Sequence, residues 1–477
     1  MGSVGIDDLS AAIPNRYIET EELACARGVP HGKFTDGIGI KRIGICTENE
    51  NVATMASSAI NDLMEKNGFR PKDIGRICAA TETSMDESKP ITSFIIGELE
   101  KKYGKESFKH TQAVEYKFAC LSGSYALLDT CNWISSTVNL YKRLNRIGVV
   151  VCTDEAKYDF LSSGEPTQGA GAVAILVKEN PRLIGLDFSN VGVFTSDIDD
   201  FFRPFGKETP IVNGKLSTFS YLYAMREAFD SYWGMTVDEG EYSSTSNKCM
   251  IPTDVIDYFV LHTPYPNLVK HAAAMLIRHE LRSMSRWKND IEELHSIYNG
   301  GKTIEEIFSD GETFKKDYQL RKNIMKTEEF ERFYEKKVDP GMWIPSEVGN
   351  TYTASIFLSL MSLLEIERGE NRLEVGQKIA FGGYGSGAGA LGYQGTVVDG
   401  FKDVVAKFGM KEKISKERAK MSIGEYEISR MLEWGKKKYG EYRGKYGETA
   451  KKIGKIGIEK ATELLEKKRE QLLGGHS

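Results

Sequence analysis

The chain has 477 residues, of which 40% are hydrophobic and 27% charged, enough for two substantial cores and an appendage in an ordinary globular protein. No run approaches the roughly 20 apolar residues of a membrane span, and the start lacks a secretory signal, so we expect a cytoplasmic protein without a membrane partner. Residues 411–477 hold 18 Lys and Arg against 11 Asp and Glu, a net charge of +7. The whole chain has a net charge of −5, so residues 1–410 carry −12. This acidic body argues against a nucleic-acid partner.

The first predicted elements are a helix over residues 52–64 and a strand at "IGRICAAT". Apolar residues at i, i+3 and i+4 spacing indicate the helix. A turn is predicted at 86–89 and a second helix over about 91–102. The apolar runs "RIGVVVCTDEA" and "GAGAVAILVKE" are typical of strands covered on both faces. The first half therefore predicts an α/β arrangement.

The second half repeats this pattern weakly. "RPKDIGRICAATET" and "IPTDVIDYFVLHTP" both begin with Pro-x-Asp and continue into an apolar strand that ends in polar residues. In the same order, "FACLSGSYALLDT" is matched by "VGNTYTASIFLSLMSLLE", and "RIGVVVCTDEA" by "KIAFGGYGSGAGA". We interpret the chain as one α/β module used twice.

The two copies differ in length at one place. Glu82 and Cys120 are 38 positions apart, whereas their counterparts His262 and Asn350 are 88 apart. The additional residues, roughly 286–340, are charged and helical in pattern, which is typical of a surface insertion. The final residues are rich in Lys and Gly, and we favour a solvated helical extension over a docking element. The predicted units are an N-terminal half (1–180), a C-terminal half with the insertion (181–400) and a basic helical tail (401–477).

Cys120 is the first candidate for chemistry. A lone Cys beside Ala and Leu is more often a small core residue, but Ser122 and Gly123 place small residues where a helix begins. Free N–H groups and the helix dipole favour an anion at such a position. We therefore predict a thiol whose pKa is lowered at a helix entrance, which makes it a better nucleophile.

Two polar residues end the equivalent strands of the two modules. His262 follows an apolar strand and precedes two prolines that force a turn, where side chains reach a site more readily than a core. Glu82 ends the matching strand of the first module. An exposed glutamate and a helix-capping histidine are the plain alternatives. The carboxyl ends of strands in open α/β sheets nevertheless bind ligands, so both residues are candidates.

The sequence contains no motif for a metal or a redox cofactor. Its seven cysteines form no C-x-x-C pair and its seven histidines no H-E-x-x-H, so we expect a thiol-reducing compartment, no disulfide framework and no metal. The glycine runs "GEPTQGAGAVAIL" and "FGGYGSGAGALGYQG" match neither a phosphate-binding loop nor a dinucleotide fingerprint. Beside a nucleophile, they suit an oxyanion hole.

The motifs "ATETSMDESKP", "FACLSG", "TDEAKYDFLSSGEPTQGAGAVA", "HTPYPNLVK", "VGNTYTAS" and "GYGSG" resemble, in order and spacing, those of hydroxymethylglutaryl-CoA synthase. The resemblance is strongest to archaeal members with long C-termini and spans roughly residues 2–400. It implies a thiolase-like fold of two similar halves stacked as αβαβα, and a homodimer. The implied acyltransferase reaction condenses acetyl-CoA with acetoacetyl-CoA and water to give HMG-CoA and CoA, on the mevalonate route to isoprenoids. Archaeal relatives also imply a complex with acetoacetyl-CoA thiolase and a small bridging protein.

The resemblance also implies residue roles. Cys120 resembles the acetylated nucleophile, Glu82 the acid/base that removes a methyl proton, and His262 the residue that polarises acetoacetyl-CoA. Tyr158 would lie beside the acetyl-cysteine and Lys270 near a CoA phosphate. Substrate contacts are implied for Tyr158, Thr167, Lys270, Asn350 and Ser386. No cofactor is implied, because acetyl-CoA and acetoacetyl-CoA are substrates.

The residue pattern is also compatible with two other functions. A ketoacyl synthase III-like enzyme also uses Cys, His and Asn, but decarboxylates a malonyl group and lacks a Glu that abstracts a methyl proton. For the synthase, Glu82→Ala is expected to form acetyl-Cys120 yet fail to condense. A non-catalytic scaffold that holds a thiolase would keep the fold without acquiring an acetyl group.

Overall fold

The computed structural model describes residues 3–144, 147–238, 252–282 and 284–431. Its strands in chain order are β1 (Val4–Ala12), β2 (Arg16–Glu19), β3 (Arg42–Ile45), β4 (Ile74–Ala80), β5 (Gln112–Tyr116), β6 (Ile147–Ala156), β7 (Gly169–Glu179), β8 (Ile184–Thr195), β9 (Phe201–Phe202), β10 (Ile211–Val212), β11 (Tyr258–Leu261), β12 (Lys378–Gly385), β13 (Gly389–Val397) and β14 (Ala419–Lys420).

The helices lie between and after these strands. In chain order they are α1 (Thr20–Ala26), α2 (Val52–Asn67), α3 (Ile91–Tyr103), α4 (Ser122–Leu144), α5 (Gly214–Asp238), α6 (Pro252–Val255), α7 (Pro266–Leu276), α8 (Arg278–Leu281), α9 (Ser285–Tyr298), α10 (Ile304–Ser309), α11 (Gly311–Ile324), α12 (Glu328–Lys337), α13 (Trp343–Val348), α14 (Ser355–Gly369), α15 (Phe401–Val405) and α16 (Met410–Glu412). None of the helices in these described segments is long and apolar enough to cross a membrane.

The helix predicted over 52–64 is confirmed as α2, and its ends have local causes. The side chain of Asn51 accepts from the backbone N–H groups of Ala53 and Thr54, and Thr54 bonds back to the Asn51 N–H, which forms a capping box. Gly68 ends the helix with a left-handed φ of 69°, a conformation that glycine adopts without steric cost.

The predicted repeat is confirmed by the strand pairing. The large sheet has the order β11-β12-β13-β8-β1-β7-β6-β4-β5. In the N-terminal half β4 pairs with β6 in parallel, and β6, β7 and β1 follow antiparallel. In the C-terminal half β11 pairs with β12 in parallel, and β12, β13 and β8 follow antiparallel. Strand β4 therefore corresponds to β11, and among the described strands of this sheet only β5 lacks a counterpart.

Alternate strand residues face different cores, and this alternation defines five layers. In β4, Cys78 faces the central core and Ile77 an outer core. In β11, Val260 faces the same central core and Phe259 the opposite outer core. Helices α4 and α14 fill the centre, α2 and α3 cover one outer face, and α5 and α7 cover the other. The arrangement is αβαβα, and each fully buried large apolar side chain stabilises it by about 1.5–3 kcal/mol.

The two halves of the sheet meet between β1 and β8 at two small residues. Gly5 pairs with Gly185, and a Cβ at Gly5 would lie 2.1 Å from the carbonyl oxygen of Ile184. Any larger residue at Gly5 would separate the strands, so this contact depends on glycine.

The segment predicted as an insertion, 286–340, forms helices α9 to α12. These helices contribute Leu294, Ile307 and Phe330 to the outer core that α5 and α7 share. The described start of the predicted tail also packs on the body: β14 pairs with β2, and Tyr426 is fully buried. The expectation of a solvated extension is therefore wrong for residues 401–431, and the rest of the predicted tail lies outside the described residues.

Candidate active site

Cys120 lies in a tight turn between β5 and α4. The hydroxyl of Ser122 donates to the Ala119 carbonyl at 2.6 Å and accepts from the Phe118 N–H at 2.7 Å. Ala119 has a φ of 41°, a left-handed conformation that is uncommon for a residue with a Cβ. Gly385 of β12 passes so close that a Cβ there would lie 2.6 Å from the Phe118 carbonyl oxygen. The turn is thus held from both halves and presents Cys120 at the entrance of α4.

The Cys120 thiol donates a hydrogen bond to Oε1 of Glu82 at 2.7 Å. Glu82 follows β4, and burial, followed by the nearby charge of Asp154, raises the pKa of its carboxyl to about 8. The predicted lowering of the thiol pKa is wrong: burial, and then Glu82, raise the pKa of Cys120 well above its usual value. Enclosure outweighs the helix dipole here.

Asp154, at the end of β6, ties the two halves together beneath Glu82. Its carboxylate accepts from the Thr81 hydroxyl and the Glu82 N–H at 2.9 Å, and from the Thr83 hydroxyl at 2.8 Å. It also accepts from the N–H of Thr353 at 3.0 Å and from the Thr353 hydroxyl. These bonds join β4 and β6 to the turn before α14, so Asp154 fixes the backbone from which Glu82 projects.

Residues from the segment before α5 close another side of the site. The guanidinium of Arg203 donates to the carbonyl of Glu82. Asp200 is fully buried and accepts from the Tyr384 hydroxyl and the Gly387 N–H, both at 3.0 Å. The Gly387 N–H is therefore engaged by a carboxylate and is not a spare donor for an oxyanion.

His262 follows β11 and is held neutral. Its N–H donates to Gly382 at 2.7 Å, its carbonyl accepts from the Tyr221 hydroxyl at 2.8 Å, and its Nδ1 lies 2.7 Å from Oγ of Ser355. The imidazole stacks on the ring of Tyr384 with centroids 6.3 Å apart. Burial lowers the pKa of His262 to about 3, so the imidazole is uncharged at neutral pH.

Tyr158, which was predicted to bind substrate, lies close to Cys120. Tyr158 neighbours Tyr352 and Thr167, and its hydroxyl is within electrostatic reach of Cys120; burial raises its pKa to about 12. Asn350 accepts from the N–H of Tyr352 at 2.9 Å, and its own N–H donates to the Thr167 carbonyl at 3.1 Å. The structure therefore places Tyr158, Thr167 and Asn350 in one neighbourhood with Cys120.

Comparison with family models matches residues 2–181 to the N-terminal part of hydroxymethylglutaryl-coenzyme A synthase and residues 184–442 to its C-terminal part. The hydroxymethylglutaryl-CoA synthase of Haloferax volcanii is 33% identical to this chain, over 90% of this chain and 91% of its own length. The chain belongs to the hydroxymethylglutaryl-CoA synthase family. The predicted resemblance is confirmed, and the Haloferax relative is consistent with the archaeal type.

Other members of the hydroxymethylglutaryl-CoA synthase family support the same assignment. The cytoplasmic enzyme of Homo sapiens is 30% identical, over 82% of this chain and 71% of its own length. A solved structure of MvaS in complex with 3-hydroxy-3-methylglutaryl coenzyme A superposes with a TM-score of 0.73 at 30% identity, and the match covers 90% of this chain and 91% of that one. An HMG-CoA synthase complexed with CoA gives a TM-score of 0.65 at 27% identity, with 89% of each chain covered. The predicted thiolase-like fold class is confirmed.

Two further residues, Ser386 and Lys270, were predicted to contact the substrate. Ser386 lies beside the hydroxyl of Tyr384, on the side of the site that contains His262. Lys270 is on α7, where its Nζ lies 5.0 Å from the ring centroid of Tyr334 and close to Asp339. Its contacts are therefore with α12 and the turn that follows it, and its role near a CoA phosphate stays a prediction.

Several residues that surround Cys120 were not predicted from the sequence. Asp154 stands inside the quoted motif "TDEA", where a carboxylate close to the end of an apolar strand was an available signal. Asp200 and Arg203 follow in "DIDDFFRPF", a polar stretch with no spacing that marks chemistry. The contacts of Tyr384 and Ser355 with His262 could not be predicted, because they form only when β12 and α14 pack beside it.

Proposed function

We propose that the chain is an acyltransferase that condenses acetyl-CoA with acetoacetyl-CoA and water to give HMG-CoA and CoA through an acetyl-Cys120 intermediate. The observation that carries the proposal is the 2.7 Å contact between the Cys120 thiol and the Glu82 carboxyl. Membership of the family supports it, and so does the neutral His262, which stacks on Tyr384, a tyrosine within electrostatic reach of Cys120.

In the first step the Cys120 sulfur attacks the acetyl thioester carbonyl. Glu82 in its ionised form accepts the thiol proton, the carbon–sulfur bond to CoA breaks, and CoA leaves as a thiol with the proton that Glu82 returns, so Glu82 is ionised again. One thioester replaces another, so the exchange costs little free energy and the acetyl group stays activated. Because burial, first of all, raises the pKa of the thiol, a nearby base speeds this transfer, whereas the proton abstraction of the next step depends on Glu82.

In the second step Glu82 removes a proton from the methyl group of acetyl-Cys120. A carboxylate whose pKa is raised to about 8 is a stronger base than an ordinary one and still ionises near neutral pH. The resulting carbanion attacks the ketone carbon of acetoacetyl-CoA, and the alkoxide takes up one proton to become a hydroxyl, which balances the methyl proton that Glu82 accepted and then releases. Water then hydrolyses the thioester to Cys120, which releases HMG-CoA and regenerates the thiol.

His262 supplies the hydrogen bond that polarises the ketone. Oγ of Ser355 accepts the Thr263 N–H at 3.2 Å, so its own proton can go to Nδ1 of His262, 2.7 Å away. This assignment leaves a proton on Nε2, and a neutral imidazole with a protonated Nε2 is a donor. Because burial lowers the pKa of His262 to about 3, the donor is the same across the physiological range.

The proposal extends to partners and location. The solved relatives contain HMG-CoA or CoA, which supports CoA thioesters as the substrates here. We place the reaction on the mevalonate route, in the cytoplasm, with a homodimer as the working unit. A complex with acetoacetyl-CoA thiolase and a small bridging protein is part of the same proposal, and co-purification of the three proteins would test it.

The experiment combines acetyl labelling with a condensation assay. Incubation with radiolabelled acetyl-CoA is expected to label the peptide that contains Cys120, and acetoacetyl-CoA should then convert the label to HMG-CoA. Cys120→Ser should lose both signals, whereas Cys25→Ser, which changes an exposed cysteine on α1, should keep both. A protein that acquires no label would be a scaffold, and one that condenses only with a malonyl donor would be a ketoacyl synthase.

A further inference from the structure

The segment after β14 begins a helix that lies against the body of the protein. Residues 423–431 are helical. Ser422 and Glu425 cap this helix, because the Ser422 N–H donates to the Glu425 carboxylate at 2.9 Å and the Glu425 N–H donates to the Ser422 hydroxyl at 3.3 Å. This capping box fixes where the helix starts, and hence which side chains it directs at the body.

Tyr426 and Arg430 lie one turn apart on this helix, so they share a face. The Tyr426 hydroxyl donates to Glu165 at 2.9 Å and accepts from the side-chain amide of Gln168 at 2.9 Å. Glu165 is also held by the guanidinium of Arg27, at 2.8 and 2.9 Å. The face therefore engages the 158–168 loop at both Glu165 and Gln168.

Both backbone polar groups of Tyr158 are held through this face. The carbonyl of Tyr158 accepts from the guanidinium of Arg430 at 2.5 Å, and its N–H donates to Oε1 of Gln168 at 3.1 Å. The amide of Gln168 is in turn oriented by the hydroxyl of Tyr426. A residue that is fixed at its N–H and its carbonyl has little freedom to move its side chain as a whole.

The network is enclosed, which makes its geometry specific. Tyr426 is 0%, Glu165 1% and Gln168 4% exposed. Removing the hydrogen-bond partner of a polar group at this depth destabilises the fold, because water does not replace the lost partner. The three side chains therefore retain one arrangement, and this arrangement extends to the backbone of Tyr158.

We propose that Tyr426 and Arg430 are positioning residues that hold Tyr158 beside Cys120. The inference rests on the proposed condensation, because its readout is the rate of that reaction. Neither residue touches the reacting atoms: Arg430 acts on the carbonyl of Tyr158, and Tyr426 acts through Gln168 on its N–H. The start of the C-terminal segment is thereby part of the catalytic structure rather than an appendage.

Tyr426→Phe and Arg430→Met test the inference in the full chain. Each is expected to lower kcat for condensation about tenfold, since a small displacement of a positioned group is costly in rate. Arg430→Lys keeps a cationic donor and should recover most of the loss. The matched control is Tyr258→Phe, which removes a buried hydroxyl that donates to Glu367 at 2.9 Å, far along the chain from the 158–168 loop. It should leave kcat within twofold at a similar cost in melting temperature.

A second measurement separates positioning from general destabilisation. In a Tyr158→Phe background, Tyr426→Phe should lower kcat much less than it does in the wild type, because residues that act through one another are not additive. Full additivity, or a loss for Tyr426→Phe no larger than that for Tyr258→Phe, would refute the positioning role. A wild-type protein that forms no HMG-CoA would instead refute the proposed function, so the two failures are distinguishable.

Discussion

The ends of β4 and β11 occupy corresponding positions in the two halves, but the residues around them differ: charged side chains surround the first, and uncharged hydroxyls and rings surround the second. Glu82, after β4, faces a thiol, the carboxylates of Asp154 and Asp200, and Arg203. His262, after β11, is surrounded by the hydroxyl of Ser355 and by tyrosine rings.

Burial affects the pKa values of these two residues in opposite directions. It raises the pKa of Glu82 to about 8 and lowers that of His262 to about 3. Both shifts favour the neutral form. The value for Glu82 still falls where a proton can be exchanged near neutral pH, whereas that for His262 does not. In the proposed mechanism, one module thus supplies the acid/base and the other a permanent hydrogen-bond donor.

The largest effect is expected from removing the exchangeable proton of the first module. Glu82→Gln should lower the condensation rate about 10²–10⁴-fold, the usual contribution of a general base. In the wild type the rate should rise with pH up to about 8, because the active form is the carboxylate and its pKa is near that value. The variant should lose this rise.

Rates measured from pH 6 to 9 would check both statements. Glu367→Gln changes a buried carboxyl bonded to Tyr258 and is the control that should keep the pH dependence. An unchanged pH profile in Glu82→Gln would show that another group exchanges the proton.

In the second module, His262→Asn should lower the condensation rate about 10²–10³-fold, as for the loss of an oxyanion donor. The wild-type profile should show no step near pH 6.5, because the pKa of His262 is about 3. The same pH series checks this, with His295→Asn on α9 as a neutral control. A titration near 6.5 that disappears in His262→Asn would contradict a permanently neutral imidazole.

The difference in pKa between Glu82 and His262 can also be reduced by removing a charge next to Glu82. Asp154→Asn removes the second-largest cause of the raised pKa of Glu82, so the rising limb of the pH profile should move to lower pH. Unfolding should cost about 1–3 kcal/mol less, because an amide accepts fewer of the hydrogen bonds. Asp317→Asn, another fully buried carboxylate, should lower stability without moving the limb. A limb that stays in place would show that Asp154 acts only on structure.

The smallest effect is expected from the residue that sets the histidine tautomer. Ser355→Ala should lower kcat about tenfold, because the proton of His262 would no longer be held on Nε2 by the Ser355 hydroxyl at Nδ1. Ser359→Ala is the matched control, since its hydroxyl bonds to the hydroxyl of Thr263 at 2.8 Å and not to the imidazole. Steady-state rates of both variants check the prediction, which fails if the two variants behave alike.

Much of the fold followed from local pattern. The helix over 52–64 was predictable because apolar spacing and caps are local properties, and β4, β6 and β7 because their apolar runs are continuous. The pairing of Glu82 with Cys120 was inferred from the motifs that resemble the family and from strand ends that meet at one edge of a sheet. The raised thiol pKa was not predicted, since it depends on enclosure by residues far apart in the chain.

The amino-acid sequence by itself determined the repeated α/β module, the residue types at its strand ends and the cysteine before α4, because these depend on neighbours within a few residues. Only the tertiary structure decided the protonation preferences of Cys120, Glu82 and His262 and the contacts of Asp154 across 199 positions to Thr353. It also decided that Tyr426 packs against the 158–168 loop. Burial and long-range hydrogen bonds set these properties, and both arise from bringing distant segments together.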